Sequence, residues 1–358
     1  MTAGTEAAVA SPPIPGTLAE ALSPAWLTAA LRTRFPDVEV HGVTPGQVIS
    51  RVSTNARFRI DCTGVPAEEL PRDLYVKGYF TDAGDGSADP VGMGEALFYG
   101  SIAERTGVRT LRSVYADADL ATRASIVITV DVEAQGGSFL DPLSAYTPDQ
   151  VAQSLEQYAQ LHAATWLHPD VGRRRWLDTW LPHVLHGRGV PVIQGNFDGP
   201  IGAGVPARTR DAQRLQDAYA LVAGEAVTAS PWSVVHGDAH VGNLFLDAEG
   251  RSCLVDWQIV QRGPWYLDVG YHIASSLPAE QRRSTERDLL RHYLDALASR
   301  GVDRPADEDA QRLVRRGIVH GFYLWAITLK VAPPITTELL TRLGTAADDH
   351  DALVPGSL

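Results

Sequence analysis

The chain has 358 residues, 44% hydrophobic and 21% charged, with a net charge of -12, which fits a globular protein large enough for two lobes or domains. The acidic balance argues against a nucleic-acid footprint and is compatible with a cationic small substrate, while no stretch reaches the ~18 uninterrupted apolar residues of a membrane span. The N-terminus lacks the basic-then-apolar order of a signal peptide, so a cytoplasmic protein is expected, and Cys62 and Cys253 support neither a disulfide framework nor a zinc knuckle.

Residues 1–16 are rich in Ala, Pro, Gly and Ser without periodicity, the composition of a disordered tail. Helical apolar spacing follows over residues 18–35, then short strands over 38–48, 58–62 and 74–80, separated by Gly and Pro signals; together these predict a small sheet. Lysine occurs only at Lys77 and Lys330, Arg carrying nearly all the positive charge, so a lysine within the third of these strands draws attention. A helix is expected over residues 94–105, stopped near Gly107, with Glu95, Phe98, Ile102 and Arg105 on one face. Glu95 thereby shares an apolar stripe, where burying an unpaired carboxylate is costly, and it calls for a cation. Residues 125–132 form a near-continuous apolar, β-branched run suited to a buried strand, broken by Gly136 and Gly137.

From there the pattern turns helical. Thr147, Pro148 and Gln150 form a capping box with Pro at the first helical position, opening a helix with Val151, Leu155, Tyr158, His162 and Trp166 on one face. Residues 185–210, with many Gly and Pro, predict a long loop of the lid or binding kind. A hairpin is expected where residues 244–246 and 253–255 flank Asp247 to Gly250, and helices over 281–299, 307–330 and 336–343 close the chain. No internal repeat is present. The expected organisation is a tail at 1–16, a first lobe at 17–132 and a second at 133–358.

Moving a γ-phosphoryl group to a hydroxyl needs divalent metal to neutralise the triphosphate, a cation on the non-transferred phosphates, and a carboxylate that orients the hydroxyl and accepts its proton. In kinase catalytic loops the carboxylate and a metal-binding Asn lie five positions apart, as Asp238 and Asn243 do, and a second metal-binding Asp follows a hairpin, as Asp256 does. His236, Asp238, His240 and Asn243, with Asp256, Trp257 and Gln258, resemble the signature of the aminoglycoside phosphotransferase and choline kinase superfamily. The Asp256-Trp257-Gln258 form is nearest the ecdysteroid kinase-like branch.

That resemblance implies an α+β, bilobal protein-kinase-like fold, with a small mixed β-sheet N-lobe that binds nucleotide and a larger, mainly helical C-lobe. It implies an ATP-dependent kinase acting on a small-molecule hydroxyl, with ATP in the cleft and Mg2+ held by Asn243 and Asp256. Asp238 would be the catalytic base and His236 a packing residue, while Lys77 would touch the α and β phosphates, oriented by Glu95. Val130 and Val132 are hinge candidates for adenine, the helix carrying His162 would run beneath the catalytic loop, and Asp268 would anchor it. Where the superfamily places a phosphate-covering loop, residues 50–57 contain no glycine, so Ser53, Thr54 and Asn55 are the hydroxyl and amide candidates there.

Two rival readings stand beside this one. His236, Asp238 and His240 could form a metal cluster of the metallohydrolase kind, and the chain could be a nucleotide-binding pseudokinase acting as a regulatory or interaction module. The presence of Lys77, Asp238, Asn243 and Asp256 together weighs against the second. The acceptor stays open among aminoglycosides, cyclic peptide antibiotics, choline-like amines, sugars, steroids and other hydroxylated metabolites, and oligomeric state is unreadable. Trp166, Trp176, Trp180, Trp265, Tyr266, His272 and Trp325 could line a substrate pocket but are assigned to the core, with only Trp257 and Gln258 placed near the site by their metal-ligand neighbour.

Overall fold

A computed structural model of the protein describes residues 11–50, 53–83 and 90–358. The chain divides into two compact units: residues up to Glu104 with Thr110–Gly137, and Arg105–Arg109 with Ser138–Leu358. The first unit extends five residues beyond the expected limit at 132. Residues 105–109 join the second because the Arg109 N–H donates to Gln157 Oε1 (2.8 Å) and the Leu254 N–H donates to the Arg109 carbonyl (2.9 Å).

In the first unit, α1 (Leu18–Ala21) and α2 (Pro24–Arg32) replace the single helix expected over 18–35. Pro24 disfavours helical backbone at Ser23, whose hydroxyl instead accepts from the Trp26 N–H as the cap of α2. Strands β1 (Glu39–Ser50), β2 (Thr54–Thr63), β3 (Asp73–Gly78), β4 (Ser113–Ala118) and β5 (Ser125–Val130) form a sheet in the order β1-β2-β3-β5-β4. Every pairing is antiparallel, not mixed as expected, because β5 inserts between β3 and β4 and separates the two strands that share a direction. Alternation in β2 buries Ala56, Phe58, Ile60 and Cys62 against Val76, Ile126, Ile128 and the α2 residues Leu27 and Leu31. Two helices, α3 (Pro90–Ser101) and α4 (Ala103–Thr106), lie between β3 and β4 in the chain.

Part of the expected tail, residues 1–10, lies outside the described residues. Its remainder is ordered coil: Trp26 Nε1 donates to the Pro13 carbonyl (2.8 Å), the Thr81 N–H donates to that of Gly16 (2.9 Å), and Ile14 packs on the core. Partial burial of Ile14 and a satisfied indole N–H override the low-complexity composition.

The second unit is mainly helical. It begins with β6 (Ser138–Phe139) and α5 (Pro148–Thr165), whose capping box forms with Thr147 Oγ1 accepting from the Gln150 N–H (3.3 Å) and Gln150 Oε1 accepting from the Thr147 N–H (2.9 Å). After α6 (Pro169–Gly172) the segment expected as a long loop is instead α7 (Leu181–Gly187), α8 (Val190–Asp198) and a 3-10 turn at Pro200–Gly202. Its Gly and Pro residues punctuate helix ends, Gly189 preceding α8 and Gly199 following it. Phe197 is buried and stacks on Phe322 at 5.5 Å, a contact invisible to local composition.

The chain then forms α9 (Ala212–Thr228), β7 (Ser233–Val235), β8 (Leu244–Leu246), β9 (Ser252–Leu254), β10 (Gln261–Gly263), α10 (Tyr266–Ser276), α11 (Ala279–Ala298), α12 (Asp307–Ala326) and α13 (Pro333–Asp349). Strands β6, β8 and β9 make one small sheet, β7 and β10 another, and residues 236–243 connect the two. No described helix is long and apolar enough to cross a membrane.

Helices α10 and α12 cross at two glycines. A Cβ at Gly317 would lie 2.1 Å from the Tyr266 carbonyl oxygen, and one at Gly270 would lie 2.1 Å from that of Val314. Backbone cannot yield as a flexible side chain does, so Gly317→Ala should force the helices apart and destabilise the second unit by about 1–3 kcal/mol. Urea denaturation of the two proteins checks this, and an unchanged midpoint would contradict the close crossing.

Candidate active site

The segment linking β7 to β8 is shaped by one buried carboxylate. Asp268, in the first turn of α10, accepts the His236 N–H on Oδ2 (2.7 Å) and the Gly237 N–H on Oδ1 (2.9 Å). His162 Nε2 on α5 lies 3.1 Å from the same Oδ2, and His162 Nδ1 is 2.8 Å from the Tyr293 hydroxyl. Burial pushes the Asp268 carboxyl pKa up, but the hydrogen bond and charge of His162, the charge of His236 and the Gly237 N–H together hold it below its ordinary value. Gly237 has φ +84°, and a Cβ there would stand 2.5 Å from the Ile259 carbonyl oxygen, so the turn requires glycine. The Gly237 carbonyl accepts from His320 Nε2 (2.7 Å) and that of Ala239 from His272 Nδ1 (2.9 Å).

Asp238 emerges from this clamp with its side chain one-third exposed. The Tyr271 hydroxyl donates to its Oδ1 (3.0 Å) and itself accepts from Trp325 Nε1 (2.6 Å). His240 Nε2 lies 3.6 Å from Oδ2. Burial would raise the Asp238 pKa; the charge and hydrogen bonding of His240, then the charge of His236 and the Tyr271 hydroxyl, outweigh it and keep the carboxyl well below the usual carboxylate range. It is ionised at neutral pH, as an acceptor of a hydroxyl proton must be.

Asn243 is 6% exposed. Its side-chain NH2 donates to the Asp238 carbonyl (2.8 Å) and its own carbonyl accepts the Val255 N–H (2.9 Å), which leaves the carboxamide oxygen as the atom suited to a cation. Asp256 follows β9 with φ +69°, a left-handed backbone that Asp tolerates better than most residues. A carboxamide and a carboxylate are hard oxygen donors of the kind that suits magnesium, which usually takes one or two protein oxygens and fills its remaining positions with water and phosphate.

The metal-triad reading of His236, Asp238 and His240 is overturned by where the imidazoles point. His236 Nε2 is 2.9 Å from the Val255 carbonyl and its Nδ1 accepts the Asp238 N–H (3.3 Å), while His240 Nδ1 accepts the Gly242 N–H (3.0 Å). Among the described residues no group of three or more His, Cys, Asp or Glu could hold a metal ion.

In the first unit, Lys77 Nζ on β3 meets Glu95 Oε2 on α3 at 2.6 Å, with the Glu95 side chain 4% exposed. Asn55 lies directly across from Lys77 in the β2–β3 register, and its Nδ2 donates to Ser53 Oγ (3.2 Å). Ser53 and Thr54 are both buried, and the Thr54 hydroxyl donates to the Ala83 carbonyl. At the end of β5 the Val130 N–H is engaged by the Arg112 carbonyl (2.9 Å), and the Val132 carbonyl accepts from the N–H groups of Gln135 (3.1 Å) and Gly137 (2.9 Å).

A family model described as the phosphotransferase enzyme family matches residues 114–306, more than half of the chain. The chain belongs to the phosphotransferase enzyme family. This phosphotransferase-family chain is similar in fold to an ethanolamine kinase from Plasmodium vivax, at 10% identity and a TM-score of 0.50, over 92% of this chain and 84% of the other. It also aligns with a choline kinase from Streptococcus pneumoniae (12% identity, 87% and 94% covered, TM-score 0.48). A choline/ethanolamine kinase family protein from Mesorhizobium loti aligns at 15% identity, 86% and 88% covered, TM-score 0.47. No curated protein matches the chain significantly.

Sequence reasoning missed Tyr271 and His320 and left Trp325 and His272 in the core, although Tyr271 and Trp325 hold the Asp238 side chain and the two histidines hold its loop. Asp268 and Tyr271 stand at i and i+3, one face of a helix, and that spacing was the available signal. His272 is completely buried between Ala239 and Ser154, its Nε2 2.6 Å from the Ser154 hydroxyl, and burial lowers its pKa to about 4. Between that value and the unfolded value of ~6.5 the unfolded chain takes up a proton that the folded chain refuses. Stability is therefore full above ~pH 6.5 and falls as pH drops towards 4, by ~2 kcal/mol from this residue between pH 7.5 and 5. Denaturant titrations at the two pH values check this, and His272→Gln should shrink the difference; an equal slope in that variant would reject the assignment.

Proposed function

We propose that the chain is an ATP-dependent kinase that transfers the γ-phosphate to a hydroxyl of a small molecule, with Asp238 as its catalytic base. The observation that carries this reading is the ionised carboxylate of Asp238, held by Tyr271 on a loop whose other end presents the Asn243 carboxamide oxygen. Family membership supports the reaction class.

Asp238 would accept a hydrogen bond from the acceptor hydroxyl, align that oxygen with the γ-phosphate, and take its proton as the new P–O bond forms and the bond from the γ-phosphorus to the bridging oxygen breaks, ADP leaving with that oxygen. Asn243 and Asp256 would hold magnesium, and a bound magnesium ion would neutralise phosphate oxygens and orient them. Lys77, kept in place by Glu95, would contact the α and β phosphates as a point charge. Ser53 and Asn55 remain candidates for phosphate contact, whereas the Thr54 hydroxyl proton is already committed to Ala83. For adenine, Val130 and Val132 remain the hinge candidates, the Val130 N–H being engaged by the Arg112 carbonyl and the Val132 carbonyl by the N–H groups of Gln135 and Gly137. We place the acceptor among uncharged or cationic alcohols and the working compartment in the cytoplasm, and the Asp256-Trp257-Gln258 form supports a place in the ecdysteroid kinase-like branch.

Asp238→Asn should lower kcat by ~10²–10⁴-fold while leaving the ATP dissociation constant within about threefold, a bound that equals roughly 0.65 kcal/mol. An ATP-consumption screen over hydroxylated compounds, followed by kinetics and nucleotide titration on the hit, measures both. Normal turnover in the variant would remove Asp238 from its role, and nucleotide binding with no acceptor turned over by the wild type would favour the pseudokinase reading. Tyr271→Phe removes one hydrogen bond to a charged group, so it should lower kcat roughly 10-fold with KM little changed. A pure KM effect would instead place Tyr271 on the substrate.

A further inference from the structure

Trp325, whose indole N–H holds the Tyr271 hydroxyl that donates to Asp238, is the next-to-last residue of α12. That is a poor place for a precise contact, because the last four carbonyls of a helix have no partner within it and the final turn frays. Here six consecutive carbonyls are nevertheless met. The Ile327 N–H donates to the Tyr323 carbonyl (3.1 Å), the Thr328 hydroxyl to that of Leu324 (2.8 Å) and the Thr328 N–H to that of Trp325 (3.2 Å). The other three are met by side chains distant in sequence. Asn196 Nδ2 donates to the carbonyls of Ala326 (2.8 Å) and Thr328 (3.2 Å), and Arg188 Nη1 donates to that of Ile327 (2.5 Å).

Both donors belong to α8 and the residues just before it, and α8 does not depend on them for its seat. Phe197, next to Asn196, is buried and stacks on Phe322 at 5.5 Å, and the Tyr323 hydroxyl lies 3.1 Å from the Arg188 backbone carbonyl. Packing thus docks α8 on α12, and the two polar side chains extend that contact to the end of the helix. The His240 ring also meets Trp325, edge-on at 5.1 Å. Such a contact is broad in its geometry, whereas the 2.6 Å bond from the indole to Tyr271 weakens steeply with angle.

We infer that Asn196 and Arg188 are positioning residues for phosphoryl transfer: by fixing the end of α12 they aim the Trp325 indole at Tyr271 and, through Tyr271, hold the Asp238 carboxylate in line with the acceptor hydroxyl. This role rests on the reading of Asp238 as the catalytic base. Neither residue would touch nucleotide or acceptor, so the loss falls on kcat with KM little changed. Acting only through Trp325 and Tyr271, the two side chains cannot contribute more than the Tyr271 hydroxyl itself, roughly 10-fold in kcat. Once that hydroxyl is gone, their removal should cost nothing further.

Asn196→Leu, similar in shape without the donor, and Arg188→Met, which keeps the aliphatic stem, test this in two steps. In the first, without substrate, the indole N–H resonance of Trp325, assigned by its disappearance in Trp325→Phe, should shift in both variants and exchange with water roughly 10-fold faster. An unmoved resonance in both overturns the proposal whatever reaction the chain performs. In the second, each variant should lower kcat roughly three- to tenfold with KM within about twofold, and Asn196→Leu added to Tyr271→Phe should lower it no further. Undiminished kcat, a loss confined to KM, or a second full loss in the double variant would each overturn the positioning role in an active enzyme. Absence of turnover in the wild type would instead remove the kinase reading and the catalytic role with it, leaving the indole resonance to decide whether α8 sets Trp325.

Discussion

Everything in the second unit that bears chemistry hangs on the Asp268 carboxylate and the two backbone N–H groups it accepts. A loop that turns through a left-handed glycine exposes consecutive amides that no helix or sheet ladder can satisfy, and one ionised carboxylate satisfies both. A buried charge is tolerable only when paired and hydrogen-bonded, and His162 completes that set from α5. Three segments far apart in sequence, around residues 162, 236 and 268, therefore act as a unit. Removing any one would leave a buried polar group unmatched, so the clamp fixes the loop in a single arrangement.

The same device recurs on a smaller scale around Asp238. Trp325 donates to Tyr271 and Tyr271 to Asp238, so an aromatic pair on α10 and α12 holds the carboxylate without neutralising it. The phenol both orients the carboxylate and, together with the nearby His240, favours its ionised form. The close Gly270–Gly317 crossing brings the α10 and α12 backbones near enough for the two rings to meet. In the first unit the logic is reversed: Lys77 and Glu95 are opposite charges, and the glutamate restricts a flexible lysine to one position.

Much of this was legible beforehand because it depends on short-range spacing. Asp238 and Asn243 lie on one turn of chain, the Thr147 capping box is a four-residue pattern, and Glu95 revealed its need for a cation through the apolar helix face it occupies. The segment at 185–210 misled because Gly and Pro mark helix ends as readily as loops, and only the burial of Phe197 against Phe322 distinguishes the two. The sheet was expected mixed because nothing local reports that β5 takes the place beside β3.

Sequence alone determined which carboxylates, carboxamide and lysine the chain offers for the proposed chemistry, and in what order they occur. Tertiary structure decided their states. It turned both His236 nitrogens onto the backbone, set His240 Nε2 beside Asp238 and so depressed the Asp238 pKa, and recruited Tyr271, Trp325 and His272 from helices with no motif of their own. Spacing along the chain governs which groups share a turn, whereas protonation state and hydrogen-bond direction depend on what burial brings within about 3 Å, and that is a property of the packed chain.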